Sequence, residues 1–212
     1  MGEILDARFV DPQTIFAYGT FTVTDHQGVV VRSGKWGDVL RMEDGNAKFL
    51  LQSAYAERLD SMSAATFVVD DATDEQKKEP DFQKVHRFFQ RFTGAFNRGD
   101  VPALTADFTK DAVRIVSGLS GVHVGRDQIR QSFESKWSGE VELASGSVLK
   151  ARVLHTTPIK SKLVAGVGIW WLTPRVKSSM EGTGVMCSVY RVVQCDEVKL
   201  VLECAGSQSA TK

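Results

Sequence analysis

The sequence predicts an α+β chain: a curved, mainly antiparallel sheet wrapped around three helices that precede it, with an extra half-domain sheet at the N-terminus. Three observations predict this. Residues 82–137 carry helix-period apolar stripes interrupted by one short β-branched run, and four apolar stretches of strand length fill most of the remainder up to residue 208. Residues 1–58 contain four segments that resemble, in the same order, segments of the C-terminal third.

Taken in chain order, Ile4-Leu5-Asp6-Ala7-Arg8 matches Val148-Leu149-Lys150-Ala151-Arg152, and Thr14 to Phe21 follows Leu163 to Trp170. Val39 to Met42 follows Val189 to Val192, and Ala47 to Leu51 follows Val198 to Leu202. Residues 1–58 therefore read as the four C-terminal strands of a domain, helices missing, and 82–208 as its complete form. A four-stranded sheet with a bare apolar face is not expected to stand alone. The expectation is a chain that begins further upstream, or a second chain over the sheet. Residues 59–81 read as a linker: Asp70 to Glu79 has seven charged residues in ten, and Phe67-Val68-Val69 is an apolar patch able to dock on a neighbour.

Phe82, Val85, Phe89, Phe92 and Phe96 recur at steps of three and four, the stripe of an amphipathic helix that ends at Gly99. Asp100 is placed to cap a second helix with Pro102 in its first turn and Leu104 and Phe108 on its buried side. Ala112 to Val116 reads as a strand and Val122-His123-Val124 as a short one. Gly125-Arg126-Asp127 opens a third helix carrying Ile129, Phe133 and Trp137.

This order of elements, with "AFNRGDVPALTADFTKDAV" before the first strand and "GRDQIRQSF" opening the third helix, resembles the nuclear transport factor 2-like (SnoaL-like) superfamily over residues 82–208. The resemblance implies a cone-shaped α+β fold around a pocket. It implies no particular chemistry, because the superfamily holds isomerases, dehydratases, cyclases and members without activity. Ketosteroid isomerases, which the domain also resembles, use a tyrosine, a carboxylate base and a protonated aspartate. The matching positions here are Phe92, Val116 and Ser188, so the resemblance does not carry that proton transfer over.

Composition narrows the partners. Acidic and basic residues balance at 26 each in 212, so no overall field recruits nucleic acid or an anionic membrane. The longest apolar run, Leu163 to Leu172, is too short to span a bilayer. Cys187, Cys195 and Cys204 lack metal-type spacing and read as free thiols of a reducing, cytoplasmic compartment. No leader is visible, a weak guide in a chain that reads as starting mid-domain. Metal, phosphate-loop and dinucleotide motifs are absent, so no cofactor is expected.

Leu163 to Leu172 is apolar on both faces, so something must cover the face turned away from the helices. The expected cover is the first copy's sheet or a second chain, making the protein a homo-oligomer or an internal pseudo-dimer through sheet faces. Strict alternation turns Met186, Ser188, Tyr190 and Val192 inward with Val198, Leu200, Leu202 and Cys204, and Arg191, Lys199 and Glu203 outward. The same rule groups Trp36, Asp38, Leu40 and Met42 with Ala47, Phe49, Leu51 and Ser53, in a register fixed by Asp44-Gly45. Cys187 and Cys204 would then lie on opposite faces, unable to bond; the alternative register, with Cys195-Asp196 as a two-residue turn, sets them directly opposite but turns Arg191 towards the core, a costly place for an unpaired charge.

The ligand-binding candidates are Arg114, Ser188, Tyr190, His123, Phe92, Trp137 and Asp38. Arg114 shares the inner face with Val116 and can hold a carboxylate or phosphate, unless Glu134 or Asp111 pairs with it. Trp137, Trp170 and Tyr190 can wall an aromatic cavity or simply fill the core. The functional expectation is a protein binding a small apolar or aromatic organic ligand. Its alternatives are a non-catalytic association module, in which the cone is filled by side chains, and an isomerase-, dehydratase- or cyclase-type enzyme.

Overall fold

The computed structural model describes residues 1–56, 71–116, 122–137, 147–159, 162–175, 182–194 and 197–208. Cys195, the Phe67-Val68-Val69 patch and the Trp137 side chain lie outside the described residues.

Strands β1 (Gly2–Asp11), β2 (Thr14–Thr24), β3 (Val30–Glu43) and β4 (Asn46–Ala56) form an antiparallel meander in the order β1-β2-β3-β4. Helices α1 (Asp74–Lys78), α2 (Pro80–Arg98) and α3 (Val101–Ala106) follow. Strands β5 (Phe108–Val116) and β6 (His123–Val124), helix α4 (Arg126–Trp137), and strands β7 (Ser147–Ile159), β8 (Leu163–Pro174), β9 (Gly182–Val192) and β10 (Val198–Gln208) complete the chain. The second sheet runs β6-β5-β10-β9-β8-β7, antiparallel except where β10 lies parallel to β5.

Three helices were expected and four are described. The charged stretch read as linker forms α1, because Thr73 and Gln76 make a capping box: the Gln76 N–H donates to Thr73 Oγ1 at 3.2 Å and the Thr73 N–H to Gln76 Oε1 at 2.8 Å. Ala72, just before it, is buried in the helix-side core. In α2 the apolar stripe is wider than its spacing suggested, since Phe88 is buried beside Phe82, Val85 and Phe89. The helix stops at Gly99, whose φ of 68° is left-handed, and Asp100 caps α3 by accepting from the Ala103 N–H at 3.0 Å. Asn97 fixes α2 to β7 by exchanging hydrogen bonds with the Leu149 backbone at 2.9 and 2.7 Å.

Two corrections concern register. Between β9 and β10 the pairing passes from Leu200↔Tyr190 to Leu202↔Val189, leaving Val201 as a bulge. One extra residue reverses every side chain after it. Val198 and Leu200 face the helices as expected, but Leu202 and Cys204 turn outward and Glu203 turns inward, against the strict alternation. Cys187 and Cys204 are thus direct cross-strand neighbours rather than residues on opposite faces, and neither forms a disulfide. The same bulge recurs between β3 and β4, where Leu40↔Phe49 passes to Val39↔Leu51 around Leu50. Leu51 and Ser53 therefore leave the face of Trp36, Asp38 and Leu40.

One strand pair of the first sheet, β2 with β3, shares its register with one of the second, β8 with β9. Thr14↔Arg41 and Gly19↔Trp36 have the counterparts Leu163↔Arg191 and Gly168↔Met186, as the sequence alignment of these strands requires. In the first strand the alignment shifts. Ile4 pairs with Gly19 while Val153 pairs with Gly168, so Ile4 stands where Val153 does and not where Val148 does.

The sheets pack face to face. Phe16, Tyr18 and Val39 of the first form one buried cluster with Val113, Ile115, Leu163, Ala165, Val189, Leu202 and Cys204 of the second. Arg8 adds a 2.8 Å hydrogen bond from its guanidinium to the Asp111 carbonyl. The fit is close: a Cβ on Gly37 would lie 2.5 Å from Cys204 Sγ. The cover reaches Leu163 and Ala165 of β8, while Ile169 is half-buried and Trp171 is 36% exposed. On the other face of the first sheet Ile4, Phe9 and Phe49 are 66%, 63% and 60% exposed.

Candidate functional site

Between the helices and the inner face of the second sheet lies a cavity of about 100 Å³. Helix α2 contributes Phe88, Phe89, Phe92, Thr93 and Phe96, and α4 contributes Phe133. The sheet contributes Arg114 and Val116 from β5, Glu203 and Ala205 from β10, Met186, Ser188 and Tyr190 from β9, and Trp170 from β8. The aromatic wall is built by edge contacts: Phe88 meets Tyr190 at 5.1 Å between centroids and Phe92 meets Phe133 at 6.4 Å. Gly166 makes room for this wall, since a Cβ there would come within 2.9 Å of the Tyr190 ring.

The polar groups form a row across three adjacent strands. Arg114 is paired with Glu203 in the parallel ladder, and Glu203 with Ser188 in the antiparallel one. Arg114 Nε donates to Glu203 Oε2 at 2.8 Å, and a terminal nitrogen donates to Ser132 Oγ at 3.0 Å. The guanidinium also lies over the Phe133 ring, 4.3 Å from its centroid. Both members of the ion pair are buried, with side chains 5% and 9% exposed. Trp170 Nε1, also in the cavity wall, is buried without a hydrogen-bond partner among the described residues, and Ser188 Oγ, close enough to the Tyr190 phenol to lower its pKa, makes no hydrogen bond of good geometry there. Burial pushes the Tyr190 phenol far above its ordinary range, so it stays protonated.

Of the candidates read from sequence, Arg114, Ser188, Tyr190 and Phe92 come together in this cavity. His123 pairs with Arg114 across β5 and β6 at the sheet edge and does not line it. Asp38 lies in β3 of the other sheet, also away from it. The partner of Arg114 is neither Glu134 nor Asp111 but Glu203, which sequence reasoning turned outward. One signal could have found it: an inward arginine in an apolar cone needs a counter-charge, and only a bulge in β10 supplies one from the sheet.

A curved mixed sheet closed over helices, with an aromatic cavity at its inner face, is a cone-shaped α+β fold of the kind the nuclear transport factor 2-like resemblance implies. The chain matches no protein-family model and no curated protein. Among solved structures, it is similar to a Xanthomonas campestris protein provisionally named as a calcium/calmodulin dependent protein kinase II association domain. That match has a TM-score of 0.53 and 14% identity, covering 69% of this chain and 100% of that one. A Nostoc punctiforme protein of unknown function with a cystatin-like fold matches with a TM-score of 0.50 and 15% identity, over 66% and 97% of the two chains. An NTF-2 like protein of unknown function from Shewanella oneidensis matches with a TM-score of 0.49 and 18% identity, over 59% and 98%. At such identities the likeness is one of fold, and about a third of this chain has no counterpart in the Xanthomonas and Nostoc proteins. Among the described residues no helix is long and apolar enough to cross a membrane, and no cluster of ligating side chains suits a metal ion.

Proposed function

We propose that the cone is a binding pocket for a small apolar or aromatic molecule. The observation that carries this reading is Ser188 Oγ, buried in a largely aromatic cavity without a hydrogen bond of good geometry among the described residues. Core filling alone leaves such an atom costly, at about 1–3 kcal/mol; a ligand that bonds to it removes the cost. Size limits the guest. Drug-sized sites run to roughly 300–1,000 Å³, and a dry cavity of roughly 150 Å³ takes up benzene. About 100 Å³ lies below both, so the guest is at most one small ring and a fused polycyclic compound is excluded. Catalysis finds less support, because Phe92, Val116 and Ser188 offer no acid or base at the isomerase positions.

The test is calorimetric titration of the full chain with toluene and with naphthalene. Saturable binding of toluene, lost in Phe88→Trp, where the cavity is filled, supports the pocket. Absence of binding by any single-ring compound overturns it.

A second reading, an association module, is favoured by Ile4, Phe9 and Phe49, which stand exposed on one face of the first sheet. It also agrees with the name of the Xanthomonas neighbour. In both readings the first sheet, paired in the register of the second and packed on its outer face, takes the place of a partner's sheet within one chain. Light scattering behind size exclusion separates the two: a stable oligomer dispersed by Phe9→Lys supports association.

A further inference from the structure

Resting on the reading of the cone as a ligand pocket, we infer that the site selects a neutral ring compound bearing a hydroxyl group and rejects carboxylates, because Glu203 neutralises Arg114. An unpaired arginine in an apolar cone would be a carboxylate receptor. Here Nε is bonded to Glu203 Oε2 at 2.8 Å, a terminal nitrogen to Ser132 at 3.0 Å, and one face of the guanidinium is stacked on Phe133. A carboxylate brought to the remaining edge of Arg114 would lie beside the buried Glu203 carboxylate. Two such groups in a site of low polarity cannot both stay ionised, so the guest would have to bring a proton with it.

A hydroxyl meets no such conflict. Glu203 Oε1 accepts no hydrogen bond among the described residues, and Ser188, its neighbour across β9 and β10, holds beside the Tyr190 phenol an oxygen with no hydrogen bond of good geometry. A guest hydroxyl placed there donates to the carboxylate, a charge-assisted bond, and accepts from Ser188. The ring then lies among Phe88, Phe92 and Phe133. Trp170 does not compete for that hydroxyl, since Gly166 is the β8 residue opposite Ser188 and Trp170 is four residues further on, ~13 Å along the strand.

The experiment titrates the full chain with phenol, benzoate and toluene at pH 7.5, where phenol is neutral and benzoate charged. Phenol is expected to bind at least tenfold more tightly than benzoate and severalfold more tightly than toluene. Glu203→Gln, which leaves the Arg114 charge unbalanced, should raise benzoate affinity tenfold or more. Should that variant not fold, Ser188→Ala serves instead, and should weaken phenol while leaving toluene unchanged. Benzoate binding as well as phenol to the unaltered protein overturns the charge assignment but leaves the pocket standing. Equal affinity for phenol and toluene overturns the role given to the hydroxyl. Failure of all three to bind removes the pocket reading and this inference with it.

Discussion

Asp38 shows how one side chain can lie away from the cavity and still matter. Its sequence setting, an acid among apolar neighbours, marked it as a site candidate. It is 6% exposed, and its Oδ1 has no hydrogen-bond partner among the described residues. Burial raises its pKa above 3.8, with the Ser53 backbone acting weakly in the other direction. An acid whose folded pKa is raised costs stability above that pKa, and the cost disappears as pH falls through the raised value to the unfolded one. Asp38→Asn should therefore melt a few °C higher than the unaltered protein at pH 7, at ~2–4 °C per kcal/mol. The difference should close below about pH 4; thermal melts across pH 3–7 decide it. What strict alternation could not supply was the partner of Arg114. Alternation of side chains tells which face a residue takes only while the ladder is regular, and Glu203 lies just past an irregular residue.

At the level of elements, the helices and turns were legible because their signals are local. Gly99, Asp100 and the Asp44-Gly45 hairpin, with φ of 51° and 78°, all stand where the residue types require. The capping box of α1 was equally local, but its surrounding charge obscured it. The two bulges were not legible, since neither Leu50 nor Val201 differs in kind from the strand residues around it, and a bulge is fixed by the partner strand. The thiols report on this register. Cys204 is 1% exposed against the first sheet, and burial pushes its pKa far up, whereas Cys187 opposite it is half-buried. Iodoacetamide should label Cys187 well before Cys204 in the folded protein, by at least tenfold in rate, since only thiolate reacts. Equal labelling that precedes unfolding would contradict the outward, covered position of Cys204.

For the whole molecule, the doubly apolar β8 implied a cover, and the first sheet supplies it at the Leu163 end rather than over Ile169 and Trp171. Which end is covered depends on how two curved surfaces meet, information that no periodicity holds. Leu163 is 2% exposed, so Leu163→Ala should cost about 2–5 kcal/mol by loss of burial and a residual cavity. Ile169→Ala, on the half-buried stretch, should cost less than half as much. Urea unfolding of the two variants measures the difference, and equal losses would mean that the sheets meet over the whole of β8.

The position of β10 has a consequence for how the protein is made. β10 lies between β5 and β9, so β5 gains its long neighbour only through residues some 89 positions later, the separation of Arg114 and Glu203. Among the described residues its other edge pairs with the two-residue β6. At roughly 5–20 residues per second of synthesis, β5 waits about 5–20 s with one long edge unpaired. During that interval the guanidinium of Arg114 is without its carboxylate, and the covering sheet, although synthesised first, has no finished surface to settle on. Folding is thereby gated by the arrival of a single strand, and a chaperone that shields strand edges should raise the yield of native protein more than any substitution that strengthens the helices.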